Sequence, residues 1–333
     1  MTQLLRIEDL RVTYRSGRGD IAAVRGVSLS LDQGRSLGIA GESGSGKSTV
    51  ASAVLRLHPR KAGVGGRVEV CGKDVNSLTW GALRRMRWSD AAIVFQGAMN
   101  SLNPVRTVGE QIAEPILVHR PETTRRACDL RVAELLDMVG LAAEHTYSYP
   151  HQLSGGQKQR IMIAMALACD PKLLIADEAT TALDVKVQAQ ILRLLRNLAV
   201  ELELGLMMIS HDLAVLSSVC DEVVVMHGGR IIEQAPGPRV FAQAKHPYTR
   251  ALAGAFPTIG DPASRYRPQG LADDPVTVVD DVAEREFAAQ CTSLDGDCLV
   301  HKPEFARYAH GLKTGCLRAE DLGIARTEST VAR

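Results

Sequence analysis

The sequence predicts an α/β fold with a largely parallel core sheet. Three observations carry the prediction. Short apolar runs alternate with segments of helical spacing from residue 36 to residue 226. A strand-like run, a glycine-rich loop and a helical segment follow one another over residues 36–57. An apolar run at 172–176 ends on two adjacent carboxylates, Asp177 and Glu178. Strands alternating with helices pack most simply as a parallel sheet covered by helices.

Taken in order, residues 4–14 alternate apolar and polar positions and read as a strand ending at Tyr14. The glycine-, arginine- and serine-rich residues 15–20 read as a turn, and Ala23–Leu31 as a second strand that Asp32-Gln33-Gly34 breaks. Ser36–Ala40 is a short apolar strand entering the glycine-rich loop, and Lys47–Leu57 has helical composition. Helical spacing returns over 123–140 and 155–169. Lys172–Ala176 reads as a buried strand, 185–204 as an amphipathic helix, and Leu206–Ile209 and Glu222–Met226 as further apolar strands. Beyond about residue 256 the character changes. Prolines 257, 262, 268 and 275 and the acidic pairs Asp273-Asp274 and Asp280-Asp281 mark a linker before a small C-terminal region. There is no internal repeat.

Bulk composition narrows the function classes. The 333 residues suit two domains, or one large domain with an appendage. With 39 basic and 38 acidic residues the formal charge is +1, which gives no support to a nucleic-acid-binding reading. No run approaches the roughly 18 apolar residues a bilayer span needs, and the N-terminus carries no signal-peptide-like stretch. The expectation is a soluble protein whose membrane connection, if any, runs through a partner. Of the seven cysteines, Cys71, Cys128, Cys169 and Cys220 lie in apolar or mixed segments and read as buried thiols in a reducing cytoplasm.

Gly41-Glu42-Ser43-Gly44-Ser45-Gly46-Lys47-Ser48 answers a specific chemical need. Glycines let backbone N–H groups turn inward around phosphate oxygens. Lys47 adds a point charge at the β- and γ-phosphates, and the Ser48 hydroxyl, followed by Thr49, reaches Mg²⁺. The helix start beneath favours an anion further. The order strand, loop, helix is the context this motif requires. The apolar strand before Asp177 would carry that carboxylate beside the loop to hold the Mg²⁺ shell, and Glu178 would orient or deprotonate an attacking water. The pattern predicts ATP and Mg²⁺ binding with hydrolysis.

Leu153-Ser154-Gly155-Gly156-Gln157-Lys158-Gln159-Arg160 resembles the signature of ABC-type ATPases, and the companions fit in order. Tyr14 looks like the aromatic that stacks on adenine, and Gln96 like the Q-loop glutamine that joins the Mg²⁺ shell. Ala182-Leu183-Asp184 looks like the D-loop, and His211 like the switch histidine. The resemblance covers roughly residues 4–255. It implies a phosphate-loop core with a parallel sheet, an antiparallel β subdomain and a helical subdomain over about 97–170. It also implies that two such domains pack head to tail. Each ATP then lies between the phosphate loop of one and Ser154, Gly155, Gly156 and Gln157 of the other. Glu178, His211 and Gln96 are the catalytic set that the resemblance implies.

A narrower resemblance rests on Ser101-Leu102-Asn103-Pro104, Tyr149-Pro150-His151 and His246-Pro247-Tyr248-Thr249. These look like the ATPases of oligopeptide, dipeptide and nickel importers. The implied role is the ATPase of a binding-protein-dependent importer, with peptide as the leading cargo and nickel or a metal chelate the alternative. A DNA- or ribosome-acting ABC ATPase and a non-catalytic subunit are the competing classes. The implied partners are a second ATPase chain (a related chain, otherwise a copy of this one), two permeases and an extracytoplasmic binding protein, at the cytoplasmic face of the membrane. Residues 256–333 match that group's C-terminal extension. Some members carry a four-cysteine [4Fe–4S] site there. Here Cys291, Cys298 and Cys316 fall at matching spacings while Arg285 stands at the first cysteine position. An iron–sulfur cluster, zinc held with His301 or His310, and unused thiols all remain open. Three milder departures are Ala179 after Glu178, Gly97-Ala98 after Gln96, and Gln152 before the signature.

Overall fold

The computed structural model describes residues 2–17, 19–95, 97, 101–180, 183–240, 244–254, 306–307 and 313–314. Gln96, Ala182, Arg285, Cys291, Cys298 and Cys316 lie outside them.

Two sheets form the frame. The first is antiparallel, in the order β2 (Gly19–Asp32), β1 (Gln3–Ser16), β4 (Gly63–Val70), β5 (Lys73–Asp74). The second runs β11 (Ala306–Arg307), β12 (Lys313–Thr314), β10 (Arg230–Pro236), β9 (Glu222–His227), β3 (Ser36–Ala40), β8 (Gly205–Ser210), β7 (Leu173–Asp177), β6 (Ala91–Val94). From β9 to β6 every pairing is parallel. β10 turns back antiparallel on β9.

Each of the four strands at the centre of the second sheet is buried on both faces. Leu37, Ile39, Leu173, Ile175, Met207, Ile209, Val224 and Met226 pack with Val50 and Val54 of α1 (Lys47–Val54) and with the inner residues of the antiparallel sheet. Ala40, Leu174, Ala176, Leu206, Met208, Val223 and Val225 alternate with them and face a second core. That core holds α3 (Val108–His119), α4 (Arg125–Met138), α5 (Gly155–Ala166), α6 (Val185–Glu201) and α7 (Leu213–Val219). A strand places successive side chains on opposite faces, so continuous apolar runs are what a doubly covered parallel sheet requires. Gly38 in β3 is where α7 comes closest. A Cβ there would sit 3.1 Å from Leu216 Cβ and 3.2 Å from Cys220 Sγ.

Among the described residues the remaining α-helices are α2 (Trp80–Ser89), α8 (Gly237–Val240) and α9 (Pro247–Gly254). Side-chain caps start the long helices. Thr107 and Glu110 form a reciprocal capping box on α3, as Ser154 and Gln157 do on α5, while Thr124 caps α4 and Asp184 caps α6.

Several boundaries differ from the sequence reading. β1 runs on to Ser16 and β2 begins at Gly19, so the turn is shorter than residues 15–20. α1 ends at Val54 because Arg56 takes a left-handed backbone (φ 48°) that closes the helix three residues early. The helices at 155–169 and 185–204 stop at Ala166 and Glu201. Cys128, Cys169 and Cys220 are buried as expected, but Cys71 is only half-buried, at a left-handed turn after β4 (φ 50°). Among the described residues, no helix is long and apolar enough to cross a membrane.

Candidate functional site

The loop between β3 and α1 is built from backbone that side chains would obstruct. Gly41 has φ 148°, and a Cβ there would lie 2.3 Å from the Met226 carbonyl oxygen. Gly46 has φ 99° and would collide with the Ala23 carbonyl oxygen at 2.3 Å. A Cβ on Gly44 would meet nothing within 4 Å, so the loop's outer rim opens onto free space. Gly46 is also the N-cap of α1 and offers no side-chain acceptor, which leaves the first N–H groups of that helix without a cap. Ser43 and Gly44 are exposed; Ser45 is buried.

Lys47 is almost fully buried beneath this rim. Its Nζ donates to the carbonyl oxygens of Gly41 (2.8 Å) and Glu42 (2.6 Å), with Ser45 Oγ at 3.4 Å. Burial lowers the ammonium's pKa, against the raising pull of Glu178, Asp177 and Glu42. A desolvated cation under an open, N–H-lined rim fits an anion such as a phosphate chain.

Ser48, on the first turn of α1, donates through Oγ to Asp177 Oδ1 at 3.1 Å. Asp177 ends β7, deep in the sheet, and burial pushes its carboxyl pKa up. A hydroxyl and a carboxylate in contact are hard oxygen donors, the kind Mg²⁺ prefers, and a divalent ion would relieve the buried negative charge. Glu178 follows in a left-handed backbone (φ 46°), its N–H on the Ile209 carbonyl oxygen at 3.0 Å. Its Oε1 lies 3.7 Å from Nδ1 of His211, whose side chain is half exposed at the end of β8. Neighbouring Asp212 caps α7 through the N–H groups of Ala214 and Val215. The fold thus gathers Lys47, Ser48, Asp177, Glu178 and His211 from three adjacent strand ends.

Other predicted positions lie apart or serve local roles. Tyr14 is half-buried and donates to Thr49 Oγ1 at 3.3 Å, which ties β1 to α1. Ser154 Oγ accepts from Gln157 N–H at 3.3 Å, while the Gln157 side chain accepts from Ser154 N–H at 2.9 Å. The signature serine's hydroxyl therefore caps its own helix. A Cβ on Gly156 would lie 2.7 Å from Val187 Cγ1, so this glycine allows α5 to approach α6 closely, just after Gly155. The Asp184 carboxylate accepts from Val187 N–H at 2.9 Å.

One residue at the site escaped the sequence reading. Tyr248, in the first turn of α9, accepts from Glu42 N–H at 3.1 Å. The only local signal was its motif, His246-Pro247-Tyr248-Thr249, which reads as a boundary marker rather than as part of a site.

Comparison with known proteins agrees with this geometry. A family model for ABC transporters matches residues 24–181. An oligopeptide transport ATP-binding protein of Mycobacterium bovis is 40% identical over 96% of this chain; the chain spans about half (52%) of that protein's length. A Brucella abortus protein named for peptide import ATP binding is 42% identical, over 90% of each chain. Among solved structures, a dimeric ATP-binding cassette bound to ADP and phosphate superposes with a TM-score of 0.63 at 30% identity, covering 70% of this chain and 98% of the other. A Clostridium perfringens subunit of an ABC transporter complex gives 0.64 at 29% identity, covering 73% of this chain and 92% of the other. With the glycine loop, the carboxylate pair and the signature helix on one α/β frame, the chain belongs to the ABC transporter family.

Proposed function

We propose that the chain is the ATP-hydrolysing subunit of an importer for di- or oligopeptides, held at the cytoplasmic face of a membrane by permease partners. The observation that carries the ATPase reading is the contact of Ser48 with Asp177, beside buried Lys47 and with Glu178 one residue further on. The peptide cargo rests on the names of relatives that are 40% and 42% identical.

On this reading the loop N–H groups and Lys47 bind the β- and γ-phosphates. Ser48 and Asp177 would hold Mg²⁺ together with Gln96, and the ion supplies charge neutralisation on the transferred phosphoryl group. Tyr14 packs against adenine. Glu178 orients the attacking water and accepts its proton, with His211 at 3.7 Å completing the polar pair. Gly155 and Gly156 open a helix just after Ser154 and present N–H groups, which suits this segment to a γ-phosphate bound by a second ATPase subunit. Asp184 and Gln157 would take part in that pairing. The second subunit is a related chain, and two permeases and an extracytoplasmic binding protein complete the importer. The test is ATP hydrolysis by the purified complex in vesicles. It should require Mg²⁺ and rise when peptide-loaded binding protein is added, and absence of peptide stimulation overturns the cargo.

For the C-terminal region the reading is an iron–sulfur cluster on Cys291, Cys298 and Cys316, either a three-iron cluster or a four-iron one with a fourth ligand other than cysteine. Iron and acid-labile sulfide analysis after anaerobic purification tests it, and a colourless, iron-free protein overturns it.

A further inference from the structure

The peptide unit joining Gly41 to Glu42 is gripped from both sides. Its carbonyl oxygen accepts from Lys47 Nζ at 2.8 Å, and its N–H donates to Tyr248 Oη at 3.1 Å. The Glu42 carboxylate lies near the same phenol, whose pKa burial and this charge both raise. Tyr248 is 1% exposed, and its ring packs on His227 with centroids 4.4 Å apart. His227 directly follows Met226, whose carbonyl oxygen walls Gly41.

The turn that carries Tyr248 is itself anchored. Tyr248 N–H donates to His246 Nδ1 at 3.2 Å. The N–H groups of Lys245 and His246 donate to the two carboxylate oxygens of Glu233, at 2.8 and 3.1 Å. Glu233 is fully buried on β10, where Thr314 of β12 pairs with it. A continuous polar chain therefore runs from the C-terminal strand to the phosphate loop.

We propose that Tyr248 is a positioning residue for the phosphate loop: its hydroxyl fixes the orientation of the Gly41–Glu42 peptide and thereby sets nucleotide affinity. The physical reason lies with Lys47. To meet phosphate oxygens its ammonium gives up the carbonyls of Gly41 and Glu42, and the peptide loses its partner on that side. The Tyr248 contact persists and keeps the glycine-flanked peptide from turning. Without it, ordering of the loop is charged to every binding event. That cost falls equally on ground and transition states, so it moves KM and leaves kcat. Burial raises the phenol's pKa, so the group stays a neutral hydroxyl able to accept and donate at once.

This inference rests on the nucleotide reading above, and the experiment separates the two. The full chain is titrated with Mg·ADP by calorimetry, and the purified complex that contains it is assayed for steady-state ATP hydrolysis. In Tyr248→Phe, which keeps the ring on His227, the Kd for Mg·ADP and the KM for ATP should both weaken by about tenfold, with kcat within twofold. Leu252→Ala, a buried change on the same helix away from the loop, should lower the unfolding temperature and leave both constants in place. Unchanged constants in Tyr248→Phe overturn the role, as does equal weakening in Leu252→Ala, which would make the effect one of folding. A wild-type chain that neither binds Mg·ADP nor turns over ATP sinks the nucleotide reading, and the role of Tyr248 with it. Should Tyr248→Phe not accumulate folded, hydrogen exchange at the Glu42 amide of the wild-type chain decides. Protection supports the contact, and exchange at an exposed-loop rate overturns it.

Discussion

Ser48 and Asp177, 129 residues apart in the chain, meet at 3.1 Å. One opens a helix and the other ends a strand, and their contact joins the glycine loop to the carboxylate pair. Burial raises the Asp177 pKa, so at neutral pH the ionised carboxylate is held at a cost to the empty protein. Asp177→Asn keeps a hydrogen-bond acceptor for Ser48 and removes the charge. The expected result is an unfolding temperature equal to or above wild type, with turnover reduced by roughly a hundredfold. A large loss of stability would place the role of Asp177 in the scaffold instead.

Glu178→Gln preserves size and the left-handed backbone while deleting a base. ATP should bind as in wild type and turnover should fall by ~10²-fold or more. Calorimetric titration and single-turnover hydrolysis check the two halves separately; substantial residual hydrolysis would refute Glu178 as the base.

His227 and His246 are buried neutral, with pKa values pushed down to about 4 and about 3 by desolvation, against 6.5 for an exposed imidazole. Below pH 6.5 the unfolded chain takes up protons that the folded chain refuses, so stability falls as pH drops towards the folded values. Between pH 7 and 5.5 each histidine should remove about 1 kcal/mol. Half-buried Glu42 and buried Asp177 and Glu233 have raised pKa values and act in the opposite sense, nearer the carboxylate range. Urea unfolding at the two pH values reads the effect, and a His246→Gln variant should flatten it. A wild-type chain equally stable at both would contradict the assignment.

Gln111 is buried and clamps the segment 103–106. Its Oε1 accepts from Asn103 N–H at 2.8 Å, and its Nε2 donates to the carbonyl oxygens of Asn103 and Arg106 at 3.1 and 3.0 Å. Gln111→Leu fills the space and strands those backbone groups. A loss of about 2 kcal/mol in urea unfolding is expected, with Mg·ADP affinity retained. A neutral outcome would mean that water replaces the amide without cost.

The parts of the fold that were legible share a physical cause. β3, β7, β8 and β9 are buried on both faces, so their sequences are unbroken apolar runs, and the glycine loop announces its own backbone. α2 and β10 did not show. α2 reads Trp-Gly-Ala-Leu-Arg-Arg-Met-Arg-Trp-Ser and buries only Leu83 and Met86. β10 carries the fully buried Glu233 in its middle, which a sequence reading takes as solvent-facing. β4 is glycine-rich and is held by its pairing with β1 rather than by propensity. In α3, Pro115 argues against a helix, yet the Thr107–Glu110 capping box and packing on the core prevail. Lys47, Ser48, Asp177, Glu178 and His211 could be named from local motifs. The partnership of Tyr248 with Glu42 spans 206 residues and leaves no local pattern.

β10 has β9 along one side and, among the described residues, pairs on the other with Lys313 and Thr314. An unpaired strand edge is a template for foreign chains. A protein shortened after Gly254 would bare that stretch, with Ile231 and Ile232 beside it. The first casualty of losing the tail would then be colloidal, with turbidity growing with concentration during storage while freshly diluted protein still binds nucleotide.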